Sequence, residues 1–350
     1  MLKSLVELLR CPVTNSKLTL VITRQVKKEL DGKSTDTVDE GILYAEADWF
    51  YPIIKGIPRL TVEAVIDHDN FLSQHMTGYE ALKEQLIVKY EDLINETYKK
   101  NKRTRQSFTQ EWAIFDHEKD KTWDAGEEDM LQRFFRETDE TAATLKNKII
   151  FDAGCGNGLL NCMLAKNGIV NIAMDFSNSI EKAYDKNRYS KVHFIQGNVQ
   201  NPPVANNHFD LVHCSGVLIH TNNTEFSFSC ISALVKPKGK LSVWLYHPRK
   251  NFTHNLFNRI RKATSRLPLK FQYRLYRFTI FPISYVIKRM KGNAQNSREM
   301  MIDILDWFTP EFRWEHTHEE VERWFCQKKY NSIKITTNEV FGFNIIGIKD

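Results

Sequence analysis

The sequence predicts an α/β fold: a mostly parallel sheet with crossover helices, a small α+β unit before it and a helical insertion within it. Three observations carry this. Between residues 147 and 245, short apolar runs alternate with helical patterns, as strand–crossover–strand units require. The first run, Ile149-Ile150-Phe151-Asp152-Ala153, ends in a glycine turn at Gly154, Gly156 and Gly158 that opens onto a helical pattern at Leu159. Lys236-Pro237-Lys238-Gly239-Lys240 is a tight turn before a last central strand, Leu241 to Leu245.

A chain of 350 residues holds one large domain or two to three smaller ones, and its net charge of +6 is mild for that length. The six cysteines show no paired spacing, which argues against a disulfide framework and for a reducing compartment. The stretch MLKSLVELLRCPVTN is too short and too charged for a signal peptide, and no run of eighteen apolar residues occurs. The cytoplasm is the expected setting.

Residues 1–62 form a small unit: a helical Leu2 to Leu9, a strand from Leu18, a polar stretch Lys27 to Glu40, then strands at Gly41 to Tyr44 and Trp49 to Ile53. Residues 63–125 are mostly helical and include a basic run, Lys99 to Arg105, and the aromatic segment Ser107 to Phe115 with Thr122-Trp123. Residues 126–350 hold the main domain, interrupted by a basic, aromatic-rich insertion at 249–298 that has no Asp or Glu. That insertion suits an anionic membrane surface, an RNA, or a lid over a pocket.

The glycine turn bears the chemistry. Dinucleotide sites show G-x-G-x-x-G, whereas this turn reads Asp152-x-Gly154-x-Gly156-x-Gly158. A carboxylate at Asp152 disfavours a pyrophosphate and suits the amino group of an amino-acid-like cofactor. The second strand, Ile169 to Met174, ends in Asp175, placed to accept from both ribose hydroxyls. Asp175-Phe176-Ser177 also reads as a helix cap. The third strand leads to Asn198-Val199, and the fourth, His208 to Cys214, to Ser215 and then His220. Tyr246-His247-Pro248-Arg249 follows the fifth strand, at the edge where ligands of such sheets collect.

The ordered set of Asp-x-Gly-x-Gly-x-Gly, Asp175, the Ser215–Thr221 loop and Leu234-Val235-Lys236-Pro237-Lys238-Gly239-Lys240-Leu241 resembles the Rossmann-like class I S-adenosylmethionine (SAM)-dependent methyltransferases of the type 11/12 kind. The resemblance implies SAM as cofactor, held by Asp152, Ala153, Gly154, Cys155, Gly156, Asp175, Phe176, Asn198, Val199 and Ser215. The family usually has Asp where Asn198 stands. An amide oxygen there accepts from the adenine amino group without charge assistance. The closing strands Ile333 to Thr337 and Phe341 to Ile348 match the family's reversed last strand. Segment 107–115 is similar to one that folds over the cofactor in some bacterial members. Leu8-Leu9-Arg10-Cys11-Pro12 and Tyr51-Pro52-Ile53-Ile54-Lys55-Gly56-Ile57-Pro58 resemble a Trm112-like domain, but Cys11 is alone, so its zinc site is missing.

The expected activity is methyl transfer to a small-molecule, lipid-linked or saccharide-linked acceptor. His220 and His247 are the candidate bases. Tyr246, Arg249, Trp307 and Phe308 are the candidate acceptor contacts, the last two in an aromatic loop, Asp306 to Trp314. Thr317 and Glu320 form a capping box for the helix after it. His316 and His318 lack further ligands with metal spacing, so no metal is expected. An RNA or translation-protein methyltransferase and a non-catalytic SAM-binding scaffold are the alternatives.

Overall fold

The computed structural model describes residues 1–46, 48–113, 127–249, 252–293 and 295–350. Residues 114–126, and with them Thr122-Trp123 and the end of the expected cofactor-covering segment, lie outside the described residues.

The strands are β1 (Leu18–Leu30), β2 (Lys33–Ala45), β3 (Phe50–Ile54), β4 (Ile57–Leu60), β5 (Ile149–Ala153), β6 (Val170–Asp175), β7 (Val192–Gly197), β8 (Phe209–Ser215), β9 (Val235–Tyr246), β10 (Tyr330–Asn338) and β11 (Gly342–Lys349). They form one sheet in the order β1-β2-β3-β4-β7-β6-β5-β8-β9-β11-β10. The pairs β7–β6, β6–β5, β5–β8 and β8–β9 are parallel, and β11 runs antiparallel to β9. The helices are α1 (Ala64–Asp67), α2 (Asp69–His75), α3 (Tyr79–Ala113), α4 (Glu127–Thr138), α5 (Leu159–Lys166), α6 (Ser179–Lys186), α7 (Thr224–Ser232), α8 (Phe252–Thr264), α9 (Leu269–Phe278), α10 (Ile280–Met290), α11 (Ser297–Phe308) and α12 (His318–Gln327).

The central strands are apolar along their length because helices cover both faces. Phe151 and Phe209 are wholly buried, with ring centroids 5.0 Å apart. Gly158 begins α5 at φ +71°, and a Cβ there would stand 2.6 Å from the Cβ of Ala183 and 2.8 Å from the ring of Phe194. The turn therefore needs glycine twice over, for its backbone and for its packing.

Four expectations need correction. The polar stretch 27–40 is a ribbon, most of β1 and β2 joined by Asp31-Gly32, both at positive φ. An Asp-Gly turn matches the twist of a hairpin, and a ribbon solvated along most of its length, with only Leu30, Thr37 and Val38 buried, shows little apolar alternation. Leu2 to Leu9 forms only a short 3-10 turn, Lys3–Glu7, so residues 1–62 are mainly β. They are not walled off either: β4 pairs in parallel with β7 through Arg59↔Gln196 and Leu60↔Gly197. Finally, Asp306 to Phe308 is the last turn of α11, which starts at an Asn296–Glu299 capping box, so only the residues after Phe308 are loop. Thr317 does cap α12, accepting from the Glu320 amide at 3.3 Å.

Arg59 is the polar rivet of the β4–β7 seam. Its buried guanidinium donates to Gln196 Oε1 at 3.1 Å and to Glu181 Oε1 at 2.9 Å. Two arginines of the basic run of α3 are likewise engaged, Arg105 pairing with Asp67 and Arg103 donating to the Leu267 carbonyl, while Lys99, Lys100 and Lys102 stay exposed. Removing one partner of a buried charge pair costs about 3–5 kcal/mol. Because Glu181 is partly exposed, Arg59→Ala should lose the lower end, about 3 kcal/mol, in urea unfolding. A loss below about 1 kcal/mol, the value of a surface pair, would show that the seam does not depend on it.

Candidate active site

A cavity of about 1370 Å³ lies at the carboxyl ends of the parallel strands. Its floor is the backbone at Gly154 and Gly156 after β5, Asp175 and Phe176 after β6, Asn198 and Val199 after β7, and Ser215 after β8. Its roof comes from Phe108 and Glu111 of α3, Arg133 of α4, the insertion helices α8–α10, and Asp306, Trp307 and Phe308 of α11. Gly154 has φ +100°, and a Cβ there would stand 2.2 Å from Val217 Cγ2. No other residue fits that turn without moving the wall.

Asp175 is anchored before any ligand arrives. Its Oδ2 accepts from the Gly156 amide at 2.8 Å, and its Oδ1 accepts from the Ser177 amide at 2.8 Å and hydroxyl at 2.6 Å. Three of about four lone-pair directions are taken, so Asp175 can accept one further hydroxyl, not two. Burial raises its pKa, and these donors oppose that rise. Ser177 is thus a partner of Asp175 and not the cap of α6, which begins after Asn178. Asn198 spends one oxygen lone pair on the Gln200 amide, at 2.9 Å, and has one left.

Asp152 does not line the cavity. Strand pairing sets it directly opposite His213, whose Nδ1 lies 2.8 Å from Asp152 Oδ1, and Asn161 Nδ2 donates to its Oδ2 at 2.9 Å. In this structure the carboxylate expected to meet a cofactor amine faces an internal histidine instead of the cavity. His213 Nε2 in turn meets Glu137 Oε2 at 3.0 Å, and Glu137 Oε1 accepts from Arg133 Nε at 2.7 Å. Burial alone would lower the His213 pKa, but Asp152 and Glu137 raise it to about 9, so it carries a proton. Burial pushes Glu137 up as well, and His213 and Arg133 more than offset it. Ala153 and Cys155 also stay outside the lining. Ala153 is buried in β5, with its carbonyl accepting from Cys214 Sγ at 3.1 Å, while the Cys155 side chain packs against the cluster under α6.

The two histidines separate. His220 is buried in the cavity wall; its Nδ1 lies 2.9 Å from the Phe312 carbonyl and its Nε2 has no partner. Burial lowers its pKa to about 4, helped by the charges of Arg313 and Arg261. At neutral pH the ring is uncharged, Nδ1–H donates to Phe312, and Nε2 keeps a free lone pair. The rings of Phe108 and Tyr246 hold it edge-on at 5.4 and 6.1 Å. His247 is not part of the cavity. Its backbone amide still donates to the Phe341 carbonyl at 3.2 Å, so strand alternation sets its side chain opposite to that of Tyr246, and its Nε2 lies 3.0 Å from the Glu339 carbonyl.

Tyr246, Arg249, Trp307 and Phe308 all line the cavity. Arg249 stacks on Phe341 at 4.8 Å. Arg313, which reading the sequence did not single out, is sandwiched between Tyr246 and Trp307 at 3.8 and 3.9 Å. Glu111, Arg133 and Asp306 were missed as well. Glu111 is wholly buried with Oε2 unpartnered, and burial, then the nearby Asp306, Asp303 and Asp175 charges, push its pKa well up. Burial lifts Asp306 to about 6. The one signal was spacing: Phe108 and Glu111 share a helix face, as i and i+3.

Residues 151–243 match a family model described as a methyltransferase domain. Ubiquinone biosynthesis O-methyltransferases of Coxiella burnetii are 30% identical over 105 residues, which is 29% of this chain and 45% of theirs. The match thus spans less than half the length of those curated relatives. Among solved structures, the magnesium protoporphyrin IX methyltransferase of Synechocystis PCC 6803 with bound SAH is 15% identical, with a TM-score of 0.41, covering 70% of this chain and 98% of that one. The Burkholderia thailandensis 1,6-didemethyltoxoflavin-N1-methyltransferase, solved with 1,6-didemethyltoxoflavin and S-adenosylhomocysteine, is 14% identical, with a TM-score of 0.37, covering 59% and 76%.

The His213 network has a sign that can be checked. A histidine raised from its ordinary 6.5 to about 9 adds stability that is full below 6.5 and lost as pH rises through 9. Urea midpoints of the wild type should fall across that window, while those of His213→Asn start lower and fall less. Parallel curves would mean that His213 is neutral in the fold.

Proposed function

We propose that this protein transfers a methyl group from SAM to a hydroxyl of a small or lipid-linked acceptor, with His220 receiving the proton. The observation that carries this is the partnerless Nε2 of a neutral, buried His220, a residue that lines the same cavity as the glycine turn and Asp175. The match of residues 151–243 to a methyltransferase domain supports the reaction class, and the naming of the Coxiella relatives as O-methyltransferases supports oxygen as the acceptor atom.

The cavity residues fit the cofactor by their chemistry. Gly154 and Gly156 allow backbone approach, Asp175 has one acceptor site for a ribose hydroxyl, and Asn198 with Val199 offers an amide and an apolar edge for adenine. Arg133 lines the cavity with its guanidinium aimed by Glu137, which suits a carboxylate. When bound, SAM supplies an electrophilic methyl carbon on a sulfonium. The Asp306 carboxyl, which ionises above about pH 6, makes the roof favourable to such a positive charge, and Glu111, kept neutral by its burial, adds a polar oxygen beside it. His220 is positioned to hold the proton that an acceptor hydroxyl gives up; its Nδ1–H bond to Phe312 fixes which nitrogen is free. Tyr246, Arg249, Trp307 and Phe308 form the acceptor wall. Alignment of the reacting atoms, rather than strong basicity, is what such a site must supply.

Residues 1–62 are a Trm112-like module in this reading, without its zinc, serving as a platform that extends the sheet. The six cysteines are free, which supports a cytoplasmic setting. The test is incubation with methyl-labelled SAM and separate small-molecule, lipid and RNA pools. Label should enter the small-molecule or lipid pool. His220→Asn should lower kcat by roughly 10²–10⁴, the usual value of a positioned base, with SAM affinity unchanged. Label confined to RNA would support the rival nucleic-acid reading, and SAM binding with transfer to no pool would support a scaffold. An unchanged kcat in His220→Asn would remove the base.

A further inference from the structure

The insertion helices leave an unusual face uncovered. On their inner side, Arg261 donates to the carbonyls of Pro310 and Glu311, and Tyr276 and Phe281 pack against α11. On the outer side large apolar side chains stand in water. Phe252 is 81% exposed, Phe278 78% and Met290 82%. Along α10, Ile283, Ile287 and Met290 repeat as i, i+4 and i+7, a single stripe. A stripe of this kind is a cost to a free surface and marks a contact site.

The stripe meets the cavity. Leu256 and Phe257 of α8 and Ile283 and Ile287 of α10 are both exposed and cavity-lining, so they form an apolar mouth. The rim around it is cationic. Arg259, Lys262, Lys270, Arg274, Arg277 and Arg289 are all exposed, and residues 249–298 contain no Asp or Glu. Among the described residues, no helix is long and apolar enough to cross a membrane. Amphipathic helices with a cationic rim and an apolar face suit the plane of an anionic lipid surface. RNA is the rival, since the exposed Phe252, Phe271 and Phe278 can stack on bases. The stripe along α10, however, is aliphatic at Ile283, Val286, Ile287 and Met290, which lipid burial uses and base stacking does not.

We infer that α8, α9 and α10 dock on an anionic lipid bilayer, and that the acceptor is a membrane-held amphiphile whose apolar chain enters through the Leu256–Phe257–Ile283–Ile287 mouth. The docking stands on the surface alone; the acceptor half rests on the methyl-transfer reading above. The rim supplies attraction to acidic headgroups, and the stripe supplies apolar burial once the helices touch.

The experiment is co-sedimentation of the full chain with vesicles of phosphatidylcholine alone and of equal parts phosphatidylcholine and phosphatidylglycerol. Binding should appear with the acidic vesicles and weaken as salt is raised. The variant F252S/F278S/M290S, whose positions lie outside the cavity lining, should bind roughly tenfold more weakly at unchanged circular dichroism, and so should K270E/R274E. Absence of vesicle binding, or equal binding to neutral vesicles that both variants retain, overturns the docking. Binding to RNA homopolymers in its place assigns the face to nucleic acid and also overturns it. A parallel incubation with labelled SAM and vesicles containing cell lipid extract separates the two halves. Label in the organic phase supports the acceptor class. Docking with label only in water-soluble product overturns the acceptor half alone, and docking with no label in any fraction counts against the methyl-transfer reading instead.

Discussion

Beneath the glycine turn, four alternating charges run from Arg133 through Glu137 and His213 to Asp152. Each would be costly to bury alone, and each is matched by its neighbours. The chain ties α4 to β8 and β5. The Glu137 carbonyl adds a second tie, accepting from Asn344 Nδ2 at 2.7 Å and Thr336 Oγ1 at 2.8 Å, which brings in β11 and β10. Strand order and site geometry therefore depend on one buried network. It holds the floor of the cavity from behind and aims Arg133 into the cavity from the side.

What stands on that floor follows from the topology. Parallel strands all end at one edge, so the loops after β5, β6, β7 and β8 converge there without special design. The roof is assembled from segments distant in sequence: α3, α4, the insertion and α11. Glu111 Oε2 in the roof and His220 Nε2 in the wall are left unmatched by protein partners, while Asp175 in the floor is pre-bonded. A pre-bonded floor beneath unmatched polar atoms suits a cavity that orients two reactants.

The central α/β alternation was legible because its periodicity is local and its glycine and proline punctuation is strong. Asp175, Asn198, Ser215 and Tyr246 were found by counting to the ends of strands. Asp152 lies behind the cavity instead of in its lining, for a reason that counting cannot reach. Its partner His213 lies 61 residues on, and only the pairing of β5 with β8 makes them neighbours. His247 lies outside the lining because one residue along an extended strand is enough to turn a side chain to the other face. The polar stretch 27–40 was not read as a hairpin because apolar alternation reports a buried face, and this hairpin has little to report. Trp307 and Phe308 were placed in a loop because Pro310 and the aromatic run mask the last turn of α11.

The central claim is that the glycine turn and Asp175 hold the adenosyl cofactor. Calorimetric titration of SAM into the wild type and into Gly154→Ala tests it most directly, because a Cβ at that position meets Val217 and disturbs the turn without removing a charged group. Saturable binding by the wild type, weakened at least about tenfold (1.4 kcal/mol) in the variant, is the expected result. No heat of binding in the wild type, or equal affinity in a folded variant, would contradict it.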